Sequence, residues 1–263
     1  QNYNPVQGFL GSEFVGFENF KFFFKSNDWV RITYNTVIMN LLFIAVGLVV
    51  SILLALLMYE IQNRIFLKAA QTMFFFPYFI SWTLTGLILL AFLNSNGIVT
   101  NLVEMITGNT INFYMEPKYW HFILLVVNIW KGAGVNAIIY YANMMSIDRE
   151  YYEAAELDGA SRLQCAWHIT LPEIKVMAIV LTVMAVGNII RADFGMFYYV
   201  PRNSPMLYSA TDVIDTYVFR AINQLGDFSM GSAVGLYQSV VGFVLILVTN
   251  MIVKKVNKNA ALF

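Results

Sequence analysis

Five long apolar stretches, residues 35–59, 68–93, 119–145, 174–193 and 230–253, constrain this chain more than any motif in it. Crossing about 30 Å of hydrocarbon takes ~20 helical residues, and every stretch has that length. Hydrocarbon offers no water to a free backbone N–H or C=O, so only helices and closed barrels can span it. Little strict alternation runs through these stretches, and each exceeds the ~9–11 residues of a barrel strand, which leaves helices. The composition agrees, with 59% of residues hydrophobic and 12% charged, where a soluble domain carries roughly a quarter charged. The expected fold is an all-α integral membrane protein with five spanning helices.

Basic and acidic residues balance at 16 each, so no charge excess points to nucleic acid. With the start of the first span outside, the inner loops carry Arg64, Lys68, Arg149, Arg162, Lys175, Lys254, Lys255 and Lys258, and the outer ones Lys21, Lys25, Arg31, Lys118, Arg202 and Arg220. The excess lies inside, as membrane insertion prefers. The run Lys254-Lys-Val-Asn-Lys258 after the last span is its firmest part. The expected layout is an extracytoplasmic segment 1–34, a transmembrane domain 35–255 and a cytoplasmic tail 256–263. The first segment has aromatic density, as in Phe20-Lys-Phe-Phe-Phe24, but no spanning run and no signal-peptide organisation. An extracytoplasmic start of this kind leads us to expect an earlier helix in the full protein, the alternative being unassisted translocation of the N-terminus.

In the outer loop 195–229, Val213, Ile214, Tyr217, Val218, Ala221, Ile222 and Leu225 recur at helical spacing, with Asp212, Asp215, Arg220 and Gln224 off that face. Ser209 and Asp212 stand at capping-box spacing. This reads as an amphipathic helix on the outer surface, either packed on its own bundle or presented to a partner.

Small residues at four-residue spacing, Gly47, Ser51 and Ala55 in the first span and Gly231 and Gly235 in the last, let helices approach closely. Pro77 removes a backbone donor inside the second span and predicts a bend. Ionisable groups at membrane depth are expensive and usually face a bundle interior or a wet cavity. Lys131, Arg191 and Asp193 qualify. Lys131 sits in Asn128-Ile-Trp-Lys-Gly-Ala-Gly-Val-Asn136, where Gly132 and Gly134 are expected to loosen the helix and Asn128 and Asn136 add polarity. The patch reads as the lining of a pathway; the alternative is a lysine bonded to an aspartate or to helix carbonyls. Arg191 and Asp193 lie near the outer end of their span, where side chains also reach water. The single Cys165 forms no internal disulfide, and His121 and His168 lack metal-ligand spacing to it. No phosphate loop, nucleophile elbow or zinc-protease pair is present, so the chain is not expected to be an enzyme.

One charged cassette stands between the third and fourth spans, at 150–172. Its residues Glu153-Ala154-Ala155, then three residues, Gly159, nine residues, Ile169, one residue and Leu171-Pro172 predict a short amphipathic helix through 151–157. A turn at Gly159, where positive φ is free of steric cost, and a second helix ending before Pro172 follow. At every fixed position the cassette resembles the EAA loop of ABC-type importer permeases. Phe14-Val-Gly-Phe-Glu-Asn-Phe20 and Asp212-Val-Ile-Asp-Thr-Tyr-Val-Phe-Arg220 resemble segments of the carbohydrate (maltose-type) permeases, in their LplB/YteP-like branch. The resemblance covers essentially the whole chain.

It implies a type I ABC importer transmembrane domain in a bacterial plasma membrane, with the family's first helix absent from this numbering. The partners implied are a second permease in a heterodimer, two cytoplasmic ATPases that hold ATP and magnesium, and an extracellular lipid-anchored binding protein. No cofactor is implied in this chain itself. Glu153, Ala154, Ala155, Asp158 and Gly159 would form the seat on the ATPase. The family's sugar site maps onto Asn128, Lys131 and Gly132, and after the loop onto Ala185, Asn188, Ile189 and Ala192. Trp130 or Tyr140 would stack on sugar, with Asn136, Arg191 and Asp193 completing the pathway. Lys131 would favour an acidic saccharide such as a uronate oligomer. Importers of other solutes remain open at this point, as does an ATP-independent channel or carrier, for which Asp193 is the candidate functional acid.

Overall fold

The apolar stretches become helices whose ends fall where capping side chains or close backbone contacts stop them. The computed structural model describes residues 6–225 and 228–256; Lys258 and the rest of the tail after Val256 lie outside the described residues. In chain order the principal helices are α1 (Glu18–Lys25), α2 (Trp29–Tyr59), α3 (Arg64–Phe75), α4 (Trp82–Leu93), α5 (Ile98–Thr107), α6 (Trp120–Met144), α7 (Arg149–Leu157), α8 (Leu171–Gly187), α9 (Phe194–Tyr199), α10 (Ile214–Leu225) and α11 (Phe228–Val256). No strand occurs among the described residues. Five stretches there are long and apolar enough to cross a membrane: Trp29–Tyr59, Trp82–Thr107, Pro117–Met144, Arg162–Gly187 and Phe228–Lys255.

Two of these differ from the expected spans. The stretch 68–93 is broken rather than bent: α3 stops at Phe75, a 3-10 turn covers Phe76–Phe79, and α4 restarts with the Ser81 hydroxyl accepting from the Leu84 N–H. Pro77 has no N–H with which to continue the helical ladder. Length and composition alone join α4 to α5 as one crossing. At the junction, however, a Cβ on Gly97 would lie 2.2 Å from the Phe92 carbonyl oxygen, so the chain turns tightly there. The stretch 174–193 is cut short at Gly187, whose carbonyl oxygen lies 2.7 Å from where a Cβ on Gly242 would stand.

Contacts divide the chain into two units, the first comprising Gln1–Leu41, Ser81–Leu125 and Gly187–Leu245, the second Leu42–Ile80, Val126–Val186 and Ile246–Phe263. In the first, Phe23, Ile32, Ile190, Ile214 and Val234 are buried together. Beside them the Asp212 carboxylate, fully buried, pairs with Arg220 at 2.7 Å and Arg31 at 3.4 Å and accepts from the Thr216 hydroxyl at 2.8 Å. Asn35 donates to the Ser209 and Asp212 carbonyls at 3.1 and 3.0 Å. Asp212 is therefore an ion hub and not half of a capping box with Ser209, and α10 begins only at Ile214. Its polar side is covered as well as its apolar one. Asp215 accepts from the Ala192 N–H at 2.8 Å and the Gln238 amide at 3.3 Å, and burial pushes its carboxyl above the usual range against those bonds. The helix thus packs on its own unit, held by polar contacts on the side expected to face water.

The second unit is organised around Ala55, Met58, Ala137, Tyr140, Met144 and Ile174. Ser51 and Ala55 are fully buried, and a Cβ on Gly47 would only touch Ile129, at 3.6 Å. The small-residue stripe of α2 is therefore packing surface. Gly134 is held to tighter limits, since an added Cβ would lie 2.0 Å from the Phe74 carbonyl oxygen. It brings the end of α3 against α6, and α6 stays a continuous helix through it, so the expected loosening at Gly132 and Gly134 does not occur.

Candidate functional site

The cassette folds from local signals. The Asp148 carboxylate caps α7 by accepting from the Glu150 N–H at 3.1 Å. Beyond Leu157 the chain turns at Gly159, whose φ of +81° lies in the region glycine enters freely. The N–H groups of Gly159 and Ala160 return to the Glu156 and Ala155 carbonyls at 3.0 and 2.9 Å. Ser161 then opens the next turn with a reciprocal capping box to Gln164. The helical turn Arg162–Cys165 passes into a π-helical turn, Ala166–Thr170, and directly into α8. This corrects the expectation that the second helix ends before Pro172. The Leu171 N–H reaches back to Ala166, and the wider turn takes up the register that a proline without an N–H would disturb.

Three contacts brace the loop. The Tyr152 hydroxyl meets the Thr170 hydroxyl at 2.9 Å, the Tyr59 and Tyr152 rings lie 5.9 Å apart, and Arg162 pairs with Glu60 at 2.9 Å. The ion pair is solvent-exposed and is worth about 0–1 kcal/mol, so the buried side of the tyrosine cluster carries more of the stiffness. Glu153, Ala154, Asp158 and Gly159 are exposed and Ala155 is half-buried. Leu157 is 90% and Trp167 63% exposed. Large apolar side chains thus stand exposed beside a carboxylate on a braced element.

The polar patch of the third span is arranged differently from the expectation. Asn128, Gly132 and Asn136 share one stripe of α6 at four-residue spacing, half-buried, half-buried and exposed in turn. Trp130 is 45% exposed and can offer a ring face, whereas Tyr140 is 3% exposed inside the core and cannot. Lys131 is 8% exposed, and its ammonium donates to the carbonyls of Pro77 (3.1 Å), Tyr78 (3.0 Å) and Ile80. All three carbonyls belong to the break between α3 and α4, and that of Pro77 also accepts from the Ile80 N–H at 3.2 Å within the 3-10 turn. The lysine thus pins the broken helix, the structural alternative raised by its sequence context.

After α8, Asn188, Arg191 and Asp193 lie in the first unit, in a non-helical connection. Asn188 is exposed and its carbonyl accepts from the Arg191 N–H at 2.9 Å; the Arg191 guanidinium donates to the Ser239 hydroxyl at 2.7 Å. Asn40 holds this turn by donating to the Ile189 and Arg191 carbonyls at 2.7 and 2.9 Å. Asp193 caps α9 through the Met196 N–H and accepts from the Trp82 indole at 2.8 Å. Its carboxylate is thus engaged in holding the local structure. No group of three or more metal-ligating side chains is found among the described residues. The Arg31–Asp212 pair was invisible in the sequence, because its members are 181 residues apart.

Five membrane-length apolar helices, with a braced and exposed loop before the fourth of them, define a helical membrane protein. Similarity to known proteins makes the class specific. The chain belongs to the family of binding-protein-dependent transport system inner membrane components, whose profile matches residues 47–258. It is 35% identical to Protein LplB of Bacillus subtilis (strain 168) over 97% of this chain and 80% of that protein. It is 34% identical to the polygalacturonan/rhamnogalacturonan transport system permease protein YteP of the same organism, over 97% and 79%. A crystal structure of a bacterial ABC transporter involved in the import of the acidic polysaccharide alginate superposes with a TM-score of 0.87 at 33% identity, covering 94% of this chain and 86% of that one. The chain is therefore a multi-pass bacterial membrane protein with the type I ABC permease fold, a transport subunit and not an enzyme.

Proposed function

We propose that this chain imports oligosaccharides, acidic ones among them, as one half of a heterodimeric pathway completed by a second permease. Two cytoplasmic ATPases, holding ATP and magnesium, would seat the loop 150–172, and an extracellular lipid-anchored protein would deliver the cargo. No cofactor is assigned to this chain. Supporting the cargo are the relatives named for the transport of galacturonan and alginate chains. The observation that carries the coupling assignment is the braced loop with Glu153, Leu157 and Trp167 on its open side. ATP-driven closure of the ATPases would move that seat, and the braces would pass the motion to α8 without a flexible joint, switching the pathway between inward and outward access. Asn128, Trp130, Gly132 and Asn136 in the second unit are proposed as cargo-facing positions, and so, separately, is Asn188 in the first, with weak hydrogen bonds and ring stacking suited to passage.

The test is sugar-stimulated ATP hydrolysis by the co-expressed complex in lipid with its binding protein, comparing wild type with Gly159→Pro and Glu153→Ala. Proline cannot take the observed φ, and Glu153 is exposed, so the second variant leaves the fold alone. Loss of stimulation in assembled complexes supports the assignment; unchanged stimulation in both removes it.

A further inference from the structure

Arg202 and Asn203 are the non-glycine residues with positive φ among those described, at 59° and 46°. Asparagine tolerates this region; arginine does not, and each strained residue costs about 1–3 kcal/mol. The turn is held from several sides. The Asn203 N–H reaches the Tyr198 carbonyl at 2.9 Å and the Arg202 N–H the Tyr199 carbonyl at 3.2 Å. The Tyr208 hydroxyl donates to the Asn203 side-chain oxygen at 3.0 Å, and Arg220 lies 4.1 Å over the Tyr208 ring while paired to Asp212. Glycine would occupy the position without strain.

That guanidinium lines a cavity of about 340 Å³ with Thr83, Leu87, Tyr198, Tyr199 and Asn203. Its wall is firm: Gly86 lets α4 meet the Tyr199 backbone, where a Cβ would lie 2.6 Å from the carbonyl oxygen. Tyr198 is stacked on Phe194 at 5.0 Å and stands edge-on to Tyr199 at 5.2 Å. The volume is at the lower end of the ~300–1,000 Å³ of ligand sites, room for one or two sugar rings. No carboxylate lines it. Five other basic groups of the same unit are engaged, Arg31 and Arg220 on Asp212, Lys118 on Glu116, Lys21 on Glu18 and Arg191 on Ser239, while Lys25, at the end of α1, does not line the cavity. Arg202 forms no ion pair among the described residues. An exposed cation beside an apolar spanning helix, braced in a strained turn and flanked by two tyrosines, has the chemistry for a ring that carries a carboxylate: a planar fork for the anion and aromatic faces for the ring.

We propose that this cavity is a subsite for a uronate residue of an acidic oligosaccharide, with Arg202 taking the carboxylate, Tyr198 or Tyr199 the ring, and Thr83 and Asn203 the hydroxyls. The proposal rests on the oligosaccharide reading above and adds a charge-selecting position remote in the chain from Lys131, whose ammonium is already engaged. By the loop orientation it lies on the outer side.

The test is direct binding to the purified complex in lipid nanodiscs without binding protein, by saturation-transfer NMR with trigalacturonate and with its fully methyl-esterified counterpart. Wild type should bind the acid at least 10-fold more tightly than the ester. Arg202→Gln should abolish that preference while leaving the ester unchanged, Arg202→Lys should keep part of it, and Tyr199→Ala should weaken both probes. Arg202→Gly, which relieves the turn, should lose the preference in a complex at least as thermostable as wild type. That separates a ligand role from a structural one. Equal binding of acid and ester by wild type, or an acid preference that survives Arg202→Gly, would overturn the subsite. Failure of every oligosaccharide to stimulate ATP hydrolysis would instead overturn the importer reading, a separate result from a separate assay.

Discussion

Replacing Lys131 with methionine keeps the aliphatic stem and removes the donors. The carbonyls of Pro77, Tyr78 and Ile80 then lose their ammonium partner, and at 8% exposure of the lysine little water can replace it. Hydrogen bonds to a charged group contribute about 1.5–3 kcal/mol each, and a carbonyl left dry costs about 1–3 kcal/mol. Against that stands the release of a buried ammonium from its desolvation penalty, several kcal/mol. With three charged bonds lost and the Pro77 carbonyl keeping the Ile80 N–H, the net should be a destabilisation of ~2–4 kcal/mol, on the order of 5–10 °C in the unfolding of a subunit this size. Thermal unfolding of the nanodisc complex measures it, alongside uptake of acidic and neutral oligosaccharides into proteoliposomes. Stability should fall, and uptake of both cargos should fall in parallel. An unchanged unfolding temperature with selective loss of acidic cargo would refute the pin and return Lys131 to the pathway.

Gly134→Ala places a methyl group 2.0 Å from the Phe74 carbonyl oxygen, a backbone atom that cannot swing aside, and should cost about 3 kcal/mol; Gly132→Ala, with nothing within 4 Å, should be neutral or gain about 0.5–1 kcal/mol, so melting the two variants side by side checks the contact. Burial pushes the Tyr114 phenol up to about 12, and its hydroxyl has no hydrogen-bond partner among the described residues; Tyr114→Phe should therefore stabilise the complex by about 1 kcal/mol, seen as a raised unfolding temperature. Burial raises the Asp215 carboxyl above its ordinary 3.8, so the folded state holds that proton more tightly than the unfolded chain. The favourable contribution is complete below 3.8 and is lost as pH rises through the raised value. Asp215→Asn, which keeps an acceptor for the Ala192 N–H, should match or exceed wild-type stability at about pH 8, with the difference shrinking as pH falls toward about 4 in melting curves.

The signals for the loop 150–172 were legible because they are local. A capping aspartate, a glycine that must take positive φ and a serine–glutamine box act within a few residues of themselves. The existence of the spans was legible for the same reason, each being a run of apolar side chains. Their ends were not. The stop of α8 depends on Gly242, and the break at Pro77 is completed by Lys131, 54 residues further on. Lys131 could be read as a charge in need of partners, yet nothing in its neighbourhood said whether these were sugar oxygens or the carbonyls of a broken helix. The helical period of 213–225 was plain, but Asp212 looked like a solvent-facing cap until Arg31 and Arg220 closed on it. Arg202 was legible only as one of the outer-loop cations; the fold brings it together with Tyr198, Tyr199, Thr83 and Leu87.

The π-helical turn at Ala166–Thr170 sets a phase as well as a register. Each residue added to or removed from a helix rotates everything beyond it by ~100°. The extra residue held in this one turn therefore decides which way Glu153, Leu157 and Trp167 face relative to α8. Deleting a residue between Ala166 and Thr170 should restore a plain α-helix and leave the span intact while swinging Glu153 and Leu157 to another azimuth. On the proposed seating, this one turn would act as a dial that single-residue insertions and deletions reset, changing the docking direction without altering α8.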